Sequence, residues 1–465
     1  MLTLSSFQDC CIAVFGLGVS GRAMARALQG SGVDVACWDD DAGVREHVQD
    51  VPLVDLYDID FTAFDYLVLA PGIPHSHPEP HPLAQKAKEA GVAIVSDVEL
   101  MRRADPKSEL VAVTGTNGKS TTTALIGHVL AESYSNCTGG NLGPAVGDLD
   151  PAIGRYVLEL SSFQLELTST LKTKAAVLLN ITPDHADRYA TFGDYVAAKR
   201  RIFADPADDQ TGIAVIGVDD PPGAQVADEL SGAAEWSVIP VAATRRLDNG
   251  VSIENDRLID AVDGQCEIVC DLPPGARLKG LHNAQNAAAA YAVARYAYDM
   301  LPDHIAARLQ SFNGLPHRQQ PVGEDSRVTF INDSKATNAE SAAKALASYP
   351  RIYWILGGRP KEGGLDGLES YMDRIVAAFV IGEAADDFEQ WLQGHGVDAQ
   401  KCATLEGALA GAHAQALQDQ KGGVVLFSPA CASFDQYRSF TERGEAFIEA
   451  VQAQIHKKDM DKQRL

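Results

Sequence analysis

The run Val113-Thr114-Gly115-Thr116-Asn117-Gly118-Lys119-Ser120-Thr121 sets glycines, a lysine and hydroxyls at the spacing that phosphate chemistry requires. It follows the apolar run Leu110-Val111-Ala112-Val113 and precedes an Ala- and Leu-containing stretch. That pattern predicts a strand, a tight turn and a helix start. Backbone N–H groups at such a turn converge on anionic oxygens. Lys119 can then reach terminal phosphates, and the Ser120 hydroxyl can ligate magnesium. The common phosphate loop carries a glycine where Val113 stands, so this is a shorter form. The ligand it predicts is ATP.

Two later strings put further ligands at the ends of apolar runs. Tyr156-Val157-Leu158-Glu159 delivers a carboxylate, and Leu178-Leu179-Asn180-Ile181-Thr182-Pro183-Asp184-His185 delivers an acid and an imidazole. Beside an ATP loop, such groups are natural magnesium ligands or orienters. Taken singly, Glu159 fits a solvated edge carboxylate as well, and His185 a hydrogen-bonded loop imidazole. At the start of the chain, Gly16, Gly18 and Gly21 form G-x-G-x-x-G, with Asp39 and Asp40 about twenty residues on. This fingerprint suits NAD in a dehydrogenase. It equally suits any diphosphate at a helix N-terminus, a UDP-sugar included. The ATP loop in the next block weighs against hydride transfer. The string His75-Ser76-His77-Pro78-Glu79-Pro80-His81 could suggest a metal site, but its prolines and the lack of nearby cysteines favour a solvated loop.

The elements that must hold these groups are short apolar runs of buried parallel strands alternating with helical stretches. The first block has Cys11–Phe15, a helix to about Gln29, Val33–Trp38, Tyr66–Leu69 and Val92–Val95. The second begins near Ser108 and runs to about Gly314. The third carries Val328–Ile331, Ile352–Leu356, Ala378–Ile381 and Val424–Phe427, each followed by Gly, Asn, Ser or Pro. Loops in that position form sites at strand carboxyl ends. The expectation is an α/β chain of three domains over residues 1–107, 108–314 and 315–465, with a frayed tail from Lys457. The first would be Rossmann-like and bind a UDP-sugar, the second a P-loop-type ATPase, and the third Rossmann-like.

Composition agrees with a folded enzyme. The 465 residues are 46% hydrophobic and 22% charged, within the globular range. The net charge of −24 argues against nucleic acid or an anionic membrane as partner. No run approaches a membrane span and no signal peptide is recognisable, so a cytoplasmic location is expected. The eight cysteines show no disulfide framework.

The strings G-T-N-G-K-S-T, E-L-S-S-F-Q-L-E, N-I-T-P-D-H-A-D-R-Y and A-A-K-R-R-I-F, in this order, resemble the central domain of the Mur ligases. Gly280-Leu281-His282-Asn283-Ala284-Gln285-Asn286, Leu315-Pro316-His317-Arg318, Asn332-Asp333-Ser334-Lys335-Ala336-Thr337-Asn338 and Ser428-Pro429-Ala430-Cys431-Ala432-Ser433-Phe434-Asp435-Gln436 extend the likeness over essentially the whole chain. The last string and N-D-S-K-A-T-N resemble the D-glutamate-adding branch. The resemblance implies an ATP-dependent ligase of peptidoglycan precursor synthesis. Its small-molecule partners would be UDP-N-acetylmuramoyl-L-alanine, D-glutamate and ATP, joined through an acyl phosphate, and the working unit a monomer.

The resemblance also implies roles. Gly115 to Thr121, Asn283, Asn286, Arg318 and Asp333 would hold ATP. Val19, Ser20, Asp39, Asp40, Gly72, Asn141, Ser162 and Gln164 would hold the UDP-sugar. Lys335, Thr337, Lys361 (in Gly357-Gly358-Arg359-Pro360-Lys361-Glu362-Gly363-Gly364), Ser433 and Phe440 would hold the amino acid. Lys119, Glu159, His185 and Lys199 would be catalytic. Two magnesium ions are implied, on Ser120 and Glu159 and on His185 and a carbamylated Lys199. A folylpolyglutamate synthase would share the ATP loop without requiring the opening glycine loop. A nucleotide sensor would not need Glu159, His185 and Lys199 together.

Overall fold

The computed structural model describes residues 1–206, 211–264, 266–272, 281–361 and 363–462. Gly280, Glu362 and the side chain of His282, all within the strings above, lie outside the described residues, as does the tail beyond Lys462. The described residues through Phe312 form one compact unit, and those from Asn313 form another.

The first unit holds two main sheets. The N-terminal one is parallel, ordered Asp34–Trp38, Cys11–Phe15, Tyr66–Leu69, Ala93–Val95. Phe15 pairs with both Trp38 and Leu69, so the glycine loop, Asp39 and the Pro71-Gly72 turn all leave the same sheet edge. Ile12, Ala13, Val14 and Leu67 are fully buried because helices cover both faces, which is why these strands read as unbroken apolar runs.

The second sheet has nine strands. From one edge the order is Glu267–Asp271, Arg257–Asp260, Val251–Glu254, Trp236–Ala242, Gly212–Gly217, Ala175–Leu178, Glu109–Thr114, Arg155–Glu159 and Cys137–Gly140. Val113 pairs with Glu159 and Thr114 with Leu178. The phosphate loop, Glu159 and the segment after Leu178 therefore emerge side by side. The helix Leu281–Tyr298 is buried all round from Ala287 to Ala294, and its alanines let it lie close to the sheet and to the helix Lys119–Leu130.

Cys137–Gly140, Gly212–Gly217 and Trp236–Ala242 were not singled out in the sequence, and neither was the edge made by the last three strands in chain order. Val251–Glu254, Arg257–Asp260 and Glu267–Asp271 pair antiparallel, and the first two turn through Asn255 and Asp256 at φ 51° and 60°. Both turn residues tolerate the left-handed region that a two-residue hairpin needs. An Asn-Asp pair between short mixed runs was the overlooked signal.

The second unit carries six strands ordered Gln320–Asp325, Val328–Asn332, Gly423–Phe427, Ile352–Gly357, Ile375–Ile381 and Ala399–Lys401, parallel except for the first pair. Loops after Asn332, Phe427 and Gly357 share one edge. The closing helix runs from Phe440 to Lys462, contrary to the frayed tail expected from Lys457. Its buried Phe447 and Val451 anchor it, and adding helical residues to an anchored helix costs little.

Candidate functional site

The phosphate loop is fixed by a second segment rather than by its own sequence. Gly115 (φ 155°) and Gly118 (φ 85°) take backbone conformations that a side chain would oppose. The Thr116 N–H donates to Asn180 O at 2.9 Å, and the Asn117 N–H donates to Asn180 Oδ1 at 2.8 Å. Thr116 Oγ1 accepts the Thr182 N–H at 3.0 Å and lies 3.1 Å from the Tyr195 hydroxyl. Asn180 Nδ2 returns bonds to Asn117 O and Gln285 Oε1, both at 3.2 Å. Thr121 follows in the first turn of the helix Lys119–Leu130, where buried Ser120 and Thr122 also lie. Thr122 Oγ1 donates to Asn286 Oδ1 at 3.0 Å, and Asn286 Nδ2 donates to Asn283 Oδ1 at 3.2 Å. A β-carbon at Gly118 would collide with Asn286 Oδ1, so the loop and the helix Leu281–Tyr298 are in direct contact.

Lys119 Nζ donates to Gly115 O at 3.0 Å and Thr116 O at 2.9 Å, so the cation lies over the loop. Lys199, 2% exposed, donates to the same Gly115 O at 2.9 Å and sits 4.5 Å from the Tyr195 ring centre. Burial first, then the Lys119 charge, take the Lys199 amine down to about 7, with Asp184 opposing.

Glu159 is 3% exposed at its strand end. Its Oε1 accepts from Asn141 Nδ2 at 3.1 Å, while its buried Oε2 has no hydrogen-bond partner among the described residues. A buried carboxylate oxygen left open beside a phosphate loop fits a hard, oxygen-seeking cation. His185 holds φ 54°, closes its turn by accepting the Arg188 N–H at 2.9 Å, and packs 5.0 Å from Phe163 and 5.9 Å from Tyr195. Its ring stays partly exposed, 3.6 Å from Asp184.

In the N-terminal sheet, the Gly16–Gly21 loop is packed as a diphosphate cradle requires. A β-carbon at Gly21 would collide with Gly16 O, whereas one at Gly18 would meet nothing within 4 Å among the described residues, leaving that face open to a ligand. Val19 is 81% exposed, and Ser20 lies beside it in the first helical turn. Asp39 Oδ2 accepts the Leu17 N–H at 2.6 Å, so it shapes the loop. Asp40 accepts from the Tyr57 hydroxyl at 3.0 Å and faces His81 Nε2 at 3.1 Å. Gly72 O accepts from Arg188. Ser162 and Gln164 are buried on the helix Ser162–Glu166. Gln164 completes a capping box with Ser161 and donates to Asp97 at 3.0 Å. Within the loop between strand and helix, His81 caps the helix Pro82–Glu89, and His75 lies 3.6 Å from Glu166.

In the second unit, Asp333 accepts from Ser428 Oγ at 2.7 Å and from the Gln319 N–H at 3.0 Å. Burial pushes its carboxyl up to about 7, with these bonds and Arg318 opposing. Lys335 Nζ lies 5.3 Å from the Phe440 ring centre, and the Lys335 N–H donates to His317 O. Ser433 is buried, Thr337 half-buried and Lys361 exposed. Arg443 joins the loops that bear these residues. It is 1% exposed and donates to Ser334 Oγ at 3.1 Å, Ser334 O at 2.8 Å and Cys431 O at 3.0 Å. Burial lowers its guanidinium to about 10.

Sequence reasoning missed Asn180, Tyr195, Arg188 and Arg443 as parts of these sites. The first three lie in or near the quoted strings. Arg443 lies on a helix where nothing distinguishes it from a surface arginine.

Residues 113–294 match the Mur ligase middle domain, and residues 317–431 match the Mur ligase glutamate ligase domain. The chain is 46% identical to the UDP-N-acetylmuramoylalanine–D-glutamate ligase of Phenylobacterium zucineum (strain HLK1), over 97% of this chain and 98% of that one. It is 48% identical to the ligase of the same name from Paramagnetospirillum magneticum (strain ATCC 700264 / AMB-1), with the same coverage. Among solved structures, the UDP-N-acetylmuramate-alanine ligase of Thermotoga maritima shares the fold, with a TM-score of 0.55 and 18% identity over 96% of this chain and all of that one.

Proposed function

The chain belongs to the Mur ligase family, and from that membership we propose that it joins D-glutamate to UDP-N-acetylmuramoyl-L-alanine, consuming ATP, in peptidoglycan precursor synthesis. The observation that carries the reading is the single sheet edge bearing the pinned phosphate loop and the open Glu159 oxygen, with the buried Lys199 amine of the helix Phe192–Arg200 bonded to Gly115 O. The relatives' names supply the choice of substrates.

A free carboxylate is a poor electrophile, so its oxygen first attacks the γ-phosphorus of ATP and ADP leaves. The amine of D-glutamate then attacks the acyl carbon, phosphate departs with the C–O electrons, and the nitrogen gives up a proton. Two anions must meet in the first step, so positive charge has to gather there. Lys119 supplies it over the loop, and N–H groups at the start of the helix Lys119–Leu130 would orient the phosphates. Magnesium, when bound, neutralises phosphate charge. Ser120 and Glu159 would hold one ion, and His185 with a carbamylated Lys199 a second. A lysine amine near neutrality can take up carbon dioxide, which turns a cation into an oxygen donor.

Gly115 to Thr121, Asn283 and Asn286 would hold ATP with Arg318 and Asp333. The loop Gly16–Gly21 with Asp39, Asp40 and Gly72 would hold the UDP end, and Asn141, Ser162 and Gln164 the sugar side. Lys335, Thr337, Lys361, Ser433 and Phe440 would receive D-glutamate. Domain boundaries at 107/108 and 314/315 fit these assignments. No described helix is long and apolar enough to cross a membrane. A cytoplasmic monomer acting on small molecules, without nucleic acid or membrane, completes the reading.

The test is phosphate release with ATP, magnesium and UDP-N-acetylmuramoyl-L-alanine, comparing D-glutamate with L-glutamate, L-alanine, L-lysine and no amino acid. Release that requires D-glutamate, with the joined product seen by mass spectrometry, supports the proposal. Release with another amino acid moves the chain to another branch, and no release removes the ligase reading.

A further inference from the structure

Arg188 touches three segments that belong to different parts of the first unit. Its Nη1 donates to Gly72 O at 2.8 Å and its Nη2 to Ile73 O at 3.3 Å, both in the turn beside the glycine loop. Its guanidinium carbon lies 4.2 Å from the ring centre of Phe163, on the helix that follows Glu159. Its backbone N–H closes the turn on His185 O.

The contacts continue on both sides. A β-carbon at Gly16 would stand 2.6 Å from Ile73 Cδ1, so Ile73 packs directly against the glycine loop. Phe163 in turn packs against His185 and Tyr189. Tyr189 makes a parallel tie, donating to Glu166, which lies 3.6 Å from His75. Among the described residues none of Arg188's hydrogen-bond acceptors is a carboxylate, and its buried Nε has no partner. A solvated ion pair would explain neither feature. A planar fork on two adjacent carbonyls and stacked on a ring fixes both distance and orientation.

We propose that Arg188 is a positioning residue that couples the diphosphate loop to the His185 turn. It sets the span between the two ends of the substrate and passes occupancy of the first end to the second. A substrate anchored at Gly16–Gly21 reaches the phosphate loop only if that span matches its length, and small misplacements of reacting atoms cost large factors in rate. The kinetic part of the inference rests on the ligase reading. The coupling itself rests on the glycine loop binding a diphosphate.

The experiment is hydrogen exchange on the full chain with and without UDP, in wild type, Arg188→Gln and Arg188→Lys. In wild type, UDP slows exchange both at Leu17–Gly21 and at the amides of 184–189. In Arg188→Gln, protection at Leu17–Gly21 persists while protection at 184–189 is lost. Arg188→Lys keeps the charge over Phe163 without the fork and falls between, and it serves if the Gln variant fails to fold. Equal protection of 184–189 in wild type and variants, or none in wild type, overturns the coupling.

Kinetics give the second arm. With UDP-N-acetylmuramoyl-L-alanine, Arg188→Gln lowers kcat/KM roughly 100-fold. With the uridine-free analogue 1-phospho-N-acetylmuramoyl-L-alanine, wild type and variant agree within a factor of about two, as for uncoupled sites. Equal losses on both substrates would make Arg188 a purely local support of the turn. An inactive wild type would overturn the ligase reading while the exchange measurement still decides the coupling.

Discussion

Lys199 and Lys119 donate to one and the same acceptor, the carbonyl oxygen of Gly115, at 2.9 and 3.0 Å. Two ammonium groups on one carbonyl repel, and Lys199 is the buried member of the pair. Burial and the neighbouring Lys119 charge therefore take the Lys199 amine down to about 7, where it can lose its proton.

Replacing Lys199 by Ala should lower turnover by roughly 10²–10³-fold, the scale of losing a transition-state electrostatic contact. Added acetate should restore part of it by supplying the missing oxygen donor. Phosphate release measured across acetate concentrations checks this, and wild-type-like turnover in the variant would remove the carbamate from the mechanism.

Gly118→Ala combines a left-handed φ of 85° with a collision against Asn286 Oδ1. The backbone strain alone is about 1–2 kcal/mol. Calorimetric titration should show ATP affinity reduced about tenfold or more, with UDP affinity unchanged because the N-terminal sheet is untouched. Equal loss of both ligands would indicate general unfolding instead.

Gly21→Ala and Gly18→Ala should separate stability from binding. The first drives a β-carbon into Gly16 O and should cost about 1–3 kcal/mol. The second meets no neighbour and should change stability by about 0.5 kcal/mol or less, yet obstruct the face on which a diphosphate would lie. Thermal denaturation with and without UDP distinguishes them, and UDP stabilising Gly18→Ala as strongly as wild type would place the ligand elsewhere.

Asp333 makes stability depend on pH. Its carboxyl is raised from 3.8 to about 7 by burial. In the folded chain the proton is retained, so the stabilisation is fully present below pH 4 and is lost as pH rises through 7. Asp333→Asn cannot ionise, so its melting temperature relative to wild type should climb between pH 4 and 7 and then level off. A difference independent of pH would mean that the carboxyl is ionised throughout that range.

Much of the architecture was legible because parallel strands covered on both faces leave unbroken apolar runs. Cys11–Phe15 and Tyr66–Leu69 are the observed strands, residue for residue, and Val328–Ile331 and Ile352–Leu356 fall one residue short. The antiparallel edge from Val251 to Asp271 was not legible, because its strands are short, Ser252, Glu254, Arg257 and Asp260 interrupt their apolar residues, and Glu267–Asp271 is largely uncovered. The phosphate loop could be read from spacing, yet its pinning by Asn180 could not, since 63 residues separate Asn117 from its partner.

The sequence by itself determined where glycine must stand, which runs are apolar and in what order Lys119, Glu159, His185 and Lys199 follow one another. These are local properties, set by backbone sterics and strand burial. Only the tertiary structure decided that Lys199 is buried against a carbonyl, that Glu159 keeps an open oxygen, and that Arg188 and Arg443 knit separate loops together. The state of a charged side chain depends on what surrounds it after distant strands have paired. Its residue type fixes only the range over which that surrounding can act.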